Sequence, residues 1–141
     1  MIKYELHNNK ELLIVKYIGD ISKSSLISFF KFCLDKGYLS TLKEILADYR
    51  DAKELYSLKD IIEITEARKI TAKGLDEIKT IFLVSNPKNT VIAHFYSIYY
   101  KDHSEVKICS TINACVKYLS LNISNNELER KLVNPKFEYS Q

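Results

Sequence analysis

Glycine is scarce in this chain, with three in 141 residues, and the chemistries that depend on it go missing too. Ser85-Asn86-Pro87 lacks the flanking glycines that seat a nucleophilic serine on a sharp strand-to-helix elbow. It also lacks the glycine that lets a phosphate approach the backbone closely. Hydrolase chemistry is disfavoured on that ground. Cysteine is equally sparse. Cys33, Cys109 and Cys115 are odd in number, unrelated in spacing and set within apolar patterns, so they read as reduced thiols used as small core residues, with neither a disulfide framework nor a zinc site. His7, His94 and His103 lie apart, without the i, i+4 spacing or acidic neighbours of metal ligands, and read as surface residues. No metal or cofactor is implied.

Charge of one sign is missing as well. The 21 basic and 18 acidic residues are interspersed, leaving a formal charge of +3 and no field to steer the chain towards nucleic acid or an anionic membrane. No apolar run reaches the roughly 20 residues that cross a bilayer. Met1 leads straight into an alternating strand pattern instead of a signal peptide. These absences predict a cytoplasmic protein with no nucleic-acid partner and no membrane insertion.

What is present is ordinary for a globular chain: 46% hydrophobic and 28% charged residues, at a length that supports one sizeable core. Ile2, Tyr4 and Leu6 alternate with polar residues, Asn8-Asn9 tolerates a left-handed turn, and Leu12 to Ile18 follows, predicting an antiparallel hairpin. Ser22 or Ser24 caps a helix with Leu26, Phe29, Phe30, Cys33 and Leu34 inward, and Gly37 stops it. Glu44 to Tyr49 is a strand followed by a loop to Ser57. Ser57 with Asp60 starts a second helix that places Leu58, Ile61, Ile62 and Thr65 on the sheet, leaves Ile64 and Ile70 off that stripe, and ends before Gly74. Ile78 to Ser85 contains the continuous apolar run of a central strand. A third helix from Asn89 or Thr90 presents Val91, Ile92, Phe95, Ile98 and Tyr99, with Tyr96 and Tyr100 as a flanking aromatic patch. Val106 and Ile108 mark an edge strand, and Ser110 or Thr111 caps a fourth helix. After Asn122 the chain turns polar, with a short capped helix at Ser124 to Glu127 carrying Leu128 and Leu132, and fraying from Pro135.

Three short segments, Tyr17-Ile18-Gly19-Asp20-Ile21, Asp48-Tyr49-Arg50-Asp51-Ala52 and Leu83-Val84-Ser85-Asn86-Pro87, together with this element order, resemble the STAS domains and, within them, the SpoIIAA-like branch of small bacterial proteins. The resemblance covers about residues 1–121 and leaves 122–141 as a polar tail. It implies an α/β fold: a mixed sheet of about five strands, with an N-terminal antiparallel hairpin and later parallel strands, and about four helices. It further implies a non-enzymatic regulatory or protein-interaction module, and a serine at the start of the second helix as a phosphorylation site. The family's Asp-x-Ser-Gly-like sequence is absent here, and Ser57 is the nearest serine.

The candidate partner-binding residues are Asp48, Arg50, Asp51, Ser57, Asn86 and Thr90, at the carboxyl ends of the parallel strands, where open α/β sheets place what they bind. Each has a plainer alternative. Arg50 can pair with a neighbouring carboxylate, or with Asp20, to fasten a loop, and Asn89 or Thr90 can simply cap a helix. The expected partner is another protein, with a second copy of the chain admissible. The alternative function is a carrier of a small apolar or lipid-like ligand held between helices and sheet.

Overall fold

The computed structural model describes residues 1–73, 77–100 and 103–141. The alternating N-terminal pattern forms β1 (Ile2–His7) and β2 (Leu12–Ile21), paired antiparallel. Between them Asn8, Asn9 and Lys10 take φ of 53°, 56° and 66°, a left-handed turn that asparagine tolerates better than most side chains. Helix α1 (Lys23–Asp35) is capped reciprocally by Ser22 and Ser25 and is followed by Gly37 in a left-handed conformation. Then come β3 (Glu44–Glu54), α2 (Leu58–Thr71), β4 (Lys79–Leu83), α3 (Pro87–Tyr100), β5 (Val106–Cys109), α4 (Ile112–Tyr118), α5 (Asn125–Val133) and β6 (Phe137–Tyr139).

The strands form one mixed sheet in the order β5-β4-β3-β2-β1-β6. From β2 to β5 every pairing is parallel, and β1 pairs antiparallel with both neighbours. The α/β architecture is the one expected, with one more strand and one more helix among the described residues. Strand β2 shows why there are two cores. Leu13, Val15 and Tyr17 pack with α1, α2 and α3, whereas Leu12 and Ile14 point the other way, into a cluster with Cys115, Leu119, Leu128 and Leu132. Strands buried on both faces need no polar alternation.

Several expectations are corrected here. Strand β3 does not stop at Tyr49 but runs to Glu54, because Ile18 to Ile21 continue the ladder beside it across a bulge. The inward stripe of α2 is Ile61, Ile64, Thr65 and Arg68, so Leu58 and Ile62 face outward. On α3 the buried set is Asn89, Ile92, Ala93, Tyr96 and Tyr100, so Val91, Ile98 and Tyr99 are the outer residues. Gly74, the expected end of the second helix, lies outside the described residues.

The segment from residue 122 does not fray. From β5 at one edge the chain crosses the free face through α4 and α5 and returns as β6 at the opposite edge, against β1. Ser124 caps α5 by accepting from the Glu127 N–H at 3.1 Å, and Leu128 and Leu132 fill the second core. Cys109 and Cys115 form a disulfide instead of remaining free thiols. The end of β5 and the second turn of α4 bring their Cα atoms to 6.0 Å, a normal bridging distance. Cys33 is the free cysteine, buried as expected, and burial pushes its thiol up to about 12.

Leu128 is fully buried under the sheet, so Leu128→Ala should cost about 2–5 kcal/mol of stability, read as a lowered urea midpoint. A change within about 0.5 kcal/mol, the range of an ordinary surface substitution, would mean that α5 is not part of the core.

Candidate functional site

The site expected at the carboxyl ends of the parallel strands divides between the two faces of the sheet. Asp48 lies mid-strand and fully buried, on the same face as Leu46. Its carboxylate accepts from Arg50 Nε at 2.9 Å, Arg50 Nη2 at 2.8 Å and the Arg50 backbone N–H at 3.1 Å. This is a bidentate clamp reinforced by a main-chain donor. Asp51 is exposed and pairs with Lys16 Nζ at 3.0 Å, while Asp20 meets Lys53 instead of Arg50. The plainer alternative for Arg50 is present in the structure: it neutralises a buried carboxylate, while its side chain stays partly exposed.

On the other face, Ser57, Asn86 and Thr90 sit at helix starts. Ser57 Oγ donates to Asp60 Oδ2 at 3.0 Å, and the Ser57 N–H donates to the same oxygen at 2.9 Å, completing the cap of α2. Asn86 Oδ1 accepts from the Asn89 N–H at 2.9 Å, and Thr90 Oγ1 donates to the Asn86 carbonyl at 2.8 Å. The start of α3 is tied to the end of β3: Asn89 Nδ2 donates to the Tyr49 carbonyl at 2.6 Å, and Lys88 Nζ to the Glu54 carbonyl at 2.8 Å. On this face, β3 and the starts of α2 and α3 thus meet along one edge. Its capping atoms are already satisfied internally.

The sequence reading did not anticipate the polar groups inside the first core. Arg68 is buried and donates from Nη2 to Thr80 Oγ1 at 3.0 Å. Its guanidinium lies 5.6 Å from the Phe30 ring centroid and 5.2 Å from that of Tyr100, in cation–π range. Tyr17 and Tyr49 stack at 4.3 Å. Burial raises the phenol pKa values of Tyr17, Tyr49 and Tyr56, and pushes Tyr96 up to about 12, so all four are neutral hydroxyls. A cavity of about 50 Å³ lies among them, lined also by Arg68, Glu54 and Ile64. The signal in the sequence was an arginine seven residues after Ile61 on one helical stripe.

Neither a family model nor a curated protein matches the chain. Among solved structures it is similar to that of the anti-sigma factor antagonist SpoIIAA in its unphosphorylated form. Identity is 10%, the TM-score is 0.49, and the match covers 86% of this chain and 100% of that one. It is also similar to the Bacillus cell fate determinant SpoIIAA in the phosphorylated form, at 10% identity and a TM-score of 0.48, covering 84% and 100%.

Removing the Arg50 head as Arg50→Met should leave the Asp48 carboxylate buried and unpaired, at a cost of about 3–5 kcal/mol. Asp51→Asn should stay within about 0.5 kcal/mol. Equal urea midpoints for the two variants would refute the clamp. Asp60 supplies a pH test. The bonds from the Ser57 N–H, from Lys23 and from the Ser57 hydroxyl lower its carboxyl from 3.8 to about 2. Its stabilisation is therefore complete above about pH 4 and is lost as pH falls towards 2. Asp60→Asn should flatten the fall in urea midpoint across that window, and a parallel fall in variant and wild type would sink the assignment.

Proposed function

We propose that this chain is a non-enzymatic regulatory or protein-interaction module that docks a protein partner mainly through the first half of α2, beside the edge formed by Ser57, Asn86 and Thr90. The observation that carries this reading is the inversion of α2. Leu58 and Ile62, one turn apart, are 40% and 42% exposed, and Leu55 just before the cap is 56% exposed, while the charged Arg68 is turned inward. Aliphatic side chains clustered on an outer helical face beside polar caps suit a partner's apolar surface. Val91 on the second turn of α3 extends the same exposed character.

Within this reading Asp48 and Arg50 shape the edge from within, and Asp51, Asn86 and Thr90 form its polar rim. Phosphorylation of Ser57 is the corresponding switch. A phosphate on its oxygen would replace the hydroxyl that donates to Asp60 and would set like charge against that carboxylate. That would disrupt the cap at the centre of the docking face. The apolar-carrier alternative gains nothing from the cavity, whose roughly 50 Å³ is about a third of the ~150 Å³ that accommodates a benzene.

A photo-crosslinking residue at Lys59, on the exposed first turn of α2, should trap a defined protein partner in the native cell. The double substitution Leu58→Glu and Ile62→Glu should abolish that adduct while leaving the circular dichroism spectrum native. An adduct of undiminished yield in the double variant would reject this docking face. A trapped second copy of the chain would make the module a homo-oligomer.

A further inference from the structure

The cavity between the sheet and helices α2 and α3 presents a chemistry that the docking face does not use. Arg68 carries five N–H donors and a permanent charge, and Thr80 Oγ1 is its hydrogen-bond acceptor among the described residues. No carboxylate among those residues lies within ion-pair distance of it; the ring faces of Phe30 and Tyr100 lie against its guanidinium, and Tyr96 and Tyr100 also act on its charge. A buried guanidinium is normally retained only with an anionic partner or a full set of acceptors. The Tyr96 hydroxyl, buried against the same space, has no hydrogen-bond partner within 3.5 Å among the described residues, and Arg68 is the charge that most strongly acts on it. Both side chains line the cavity, and most of the remaining lining, including Ile61, Ile64 and Ile92, is apolar.

We propose that this cavity is a binding site for a small organic monoanion, a short-chain carboxylate, whose oxygens accept from the Arg68 guanidinium and the Tyr96 hydroxyl while its carbon end lies against the aliphatic wall. The space of about 50 Å³ exceeds the roughly 10–15 Å³ that a single water needs, so it admits a carboxylate group with a short carbon end. Glu54 lines the same space, with Oε1 unpaired among the described residues. Burial raises its carboxyl pKa, against the lowering effect of Lys88.

The inference is independent of the docking face, and its test leaves α2's outer surface untouched. Propionate titrated into the purified full chain, followed by calorimetry and thermal unfolding, should bind saturably and raise Tm above that reached in sodium chloride of equal ionic strength. Tyr96→Phe keeps the ring and loses one donor, and should weaken propionate binding about tenfold, the ratio expected from one net hydrogen bond. Arg68→Met should abolish binding and is read only if its circular dichroism spectrum is native; Tyr96→Phe decides the matter otherwise. Equal Tm shifts from propionate and chloride, or wild-type propionate affinity in Tyr96→Phe, would overturn the proposal.

Discussion

The burial of one arginine sets the rotational phase of helix α2, and much of the rest follows from that phase. With Arg68 turned onto the sheet, the positions one, two and three stripe steps before it must follow, and these are Thr65, Ile64 and Ile61. Leu58 and Ile62 are then forced outward, although aliphatic content alone would have placed them inside. Helix α3 follows the same logic. Asn89 is turned inward to hold the Tyr49 carbonyl, and Tyr96 and Tyr100 come with it at helical spacing. The inner surface of both helices therefore carries polar tips among its apolar residues, and the outer surface carries exposed aliphatics among its charges.

On the opposite face the constraint is buried carboxylate. Glu44 on β3 accepts from the Ser120 N–H at 2.9 Å and 3.1 Å, and from the Leu121 N–H at 3.1 Å, and it pairs with Lys79 at 3.1 Å. Glu5 on β1 meets Lys131 of α5 and Lys136 before β6. Asp48 is held by Arg50. Each acid is compensated by nearby donors, as a buried charge requires, and two of them join the sheet to the layer made by the last third of the chain. The apolar pair Leu128 and Leu132 accounts for the packing of that layer, and these carboxylates account for its register against the strands.

The alternating and continuous apolar runs made the hairpin, the central strand and the α/β order legible in advance, since period and run length respond directly to one-sided or two-sided burial. The helix caps at Ser57 and Ser124 were equally legible, and those at Ser22 and Thr111 to within a choice of two neighbouring residues, because capping is a local matter between neighbouring side chains and backbone N–H groups. Helix phase was not. Counting apolar residues assigns an arginine and two tyrosines to the outside, and only tertiary contacts with Thr80, Phe30 and Phe82 favour placing them inside. The length of β3 was hidden for a similar reason. Arg50, Asp51 and Lys53 look like a loop until Ile18 to Ile21 are seen to supply a ladder beside them. Of the candidate site residues, Ser57 caps its helix as expected, whereas the third helix starts at Pro87 with Asn86 as its cap and not at Asn89 or Thr90, because a proline fits the first helical position as readily as it breaks a strand. Asp48 was assigned to the surface because its partner arginine is two residues away, and a sequence cannot distinguish an exposed ion pair from a buried one.

The margins of the sheet carry a consequence for how the molecule can meet others. The strand at one border, β5, has four residues, and the one at the other, β6, has three; Glu105, Lys107, Lys136 and Glu138 lie in or beside them. Borders this brief and this charged offer little backbone for an intruding strand to zip onto. Fibrillar growth by lateral addition is correspondingly discouraged, even though the inner strands are rich in branched aliphatics.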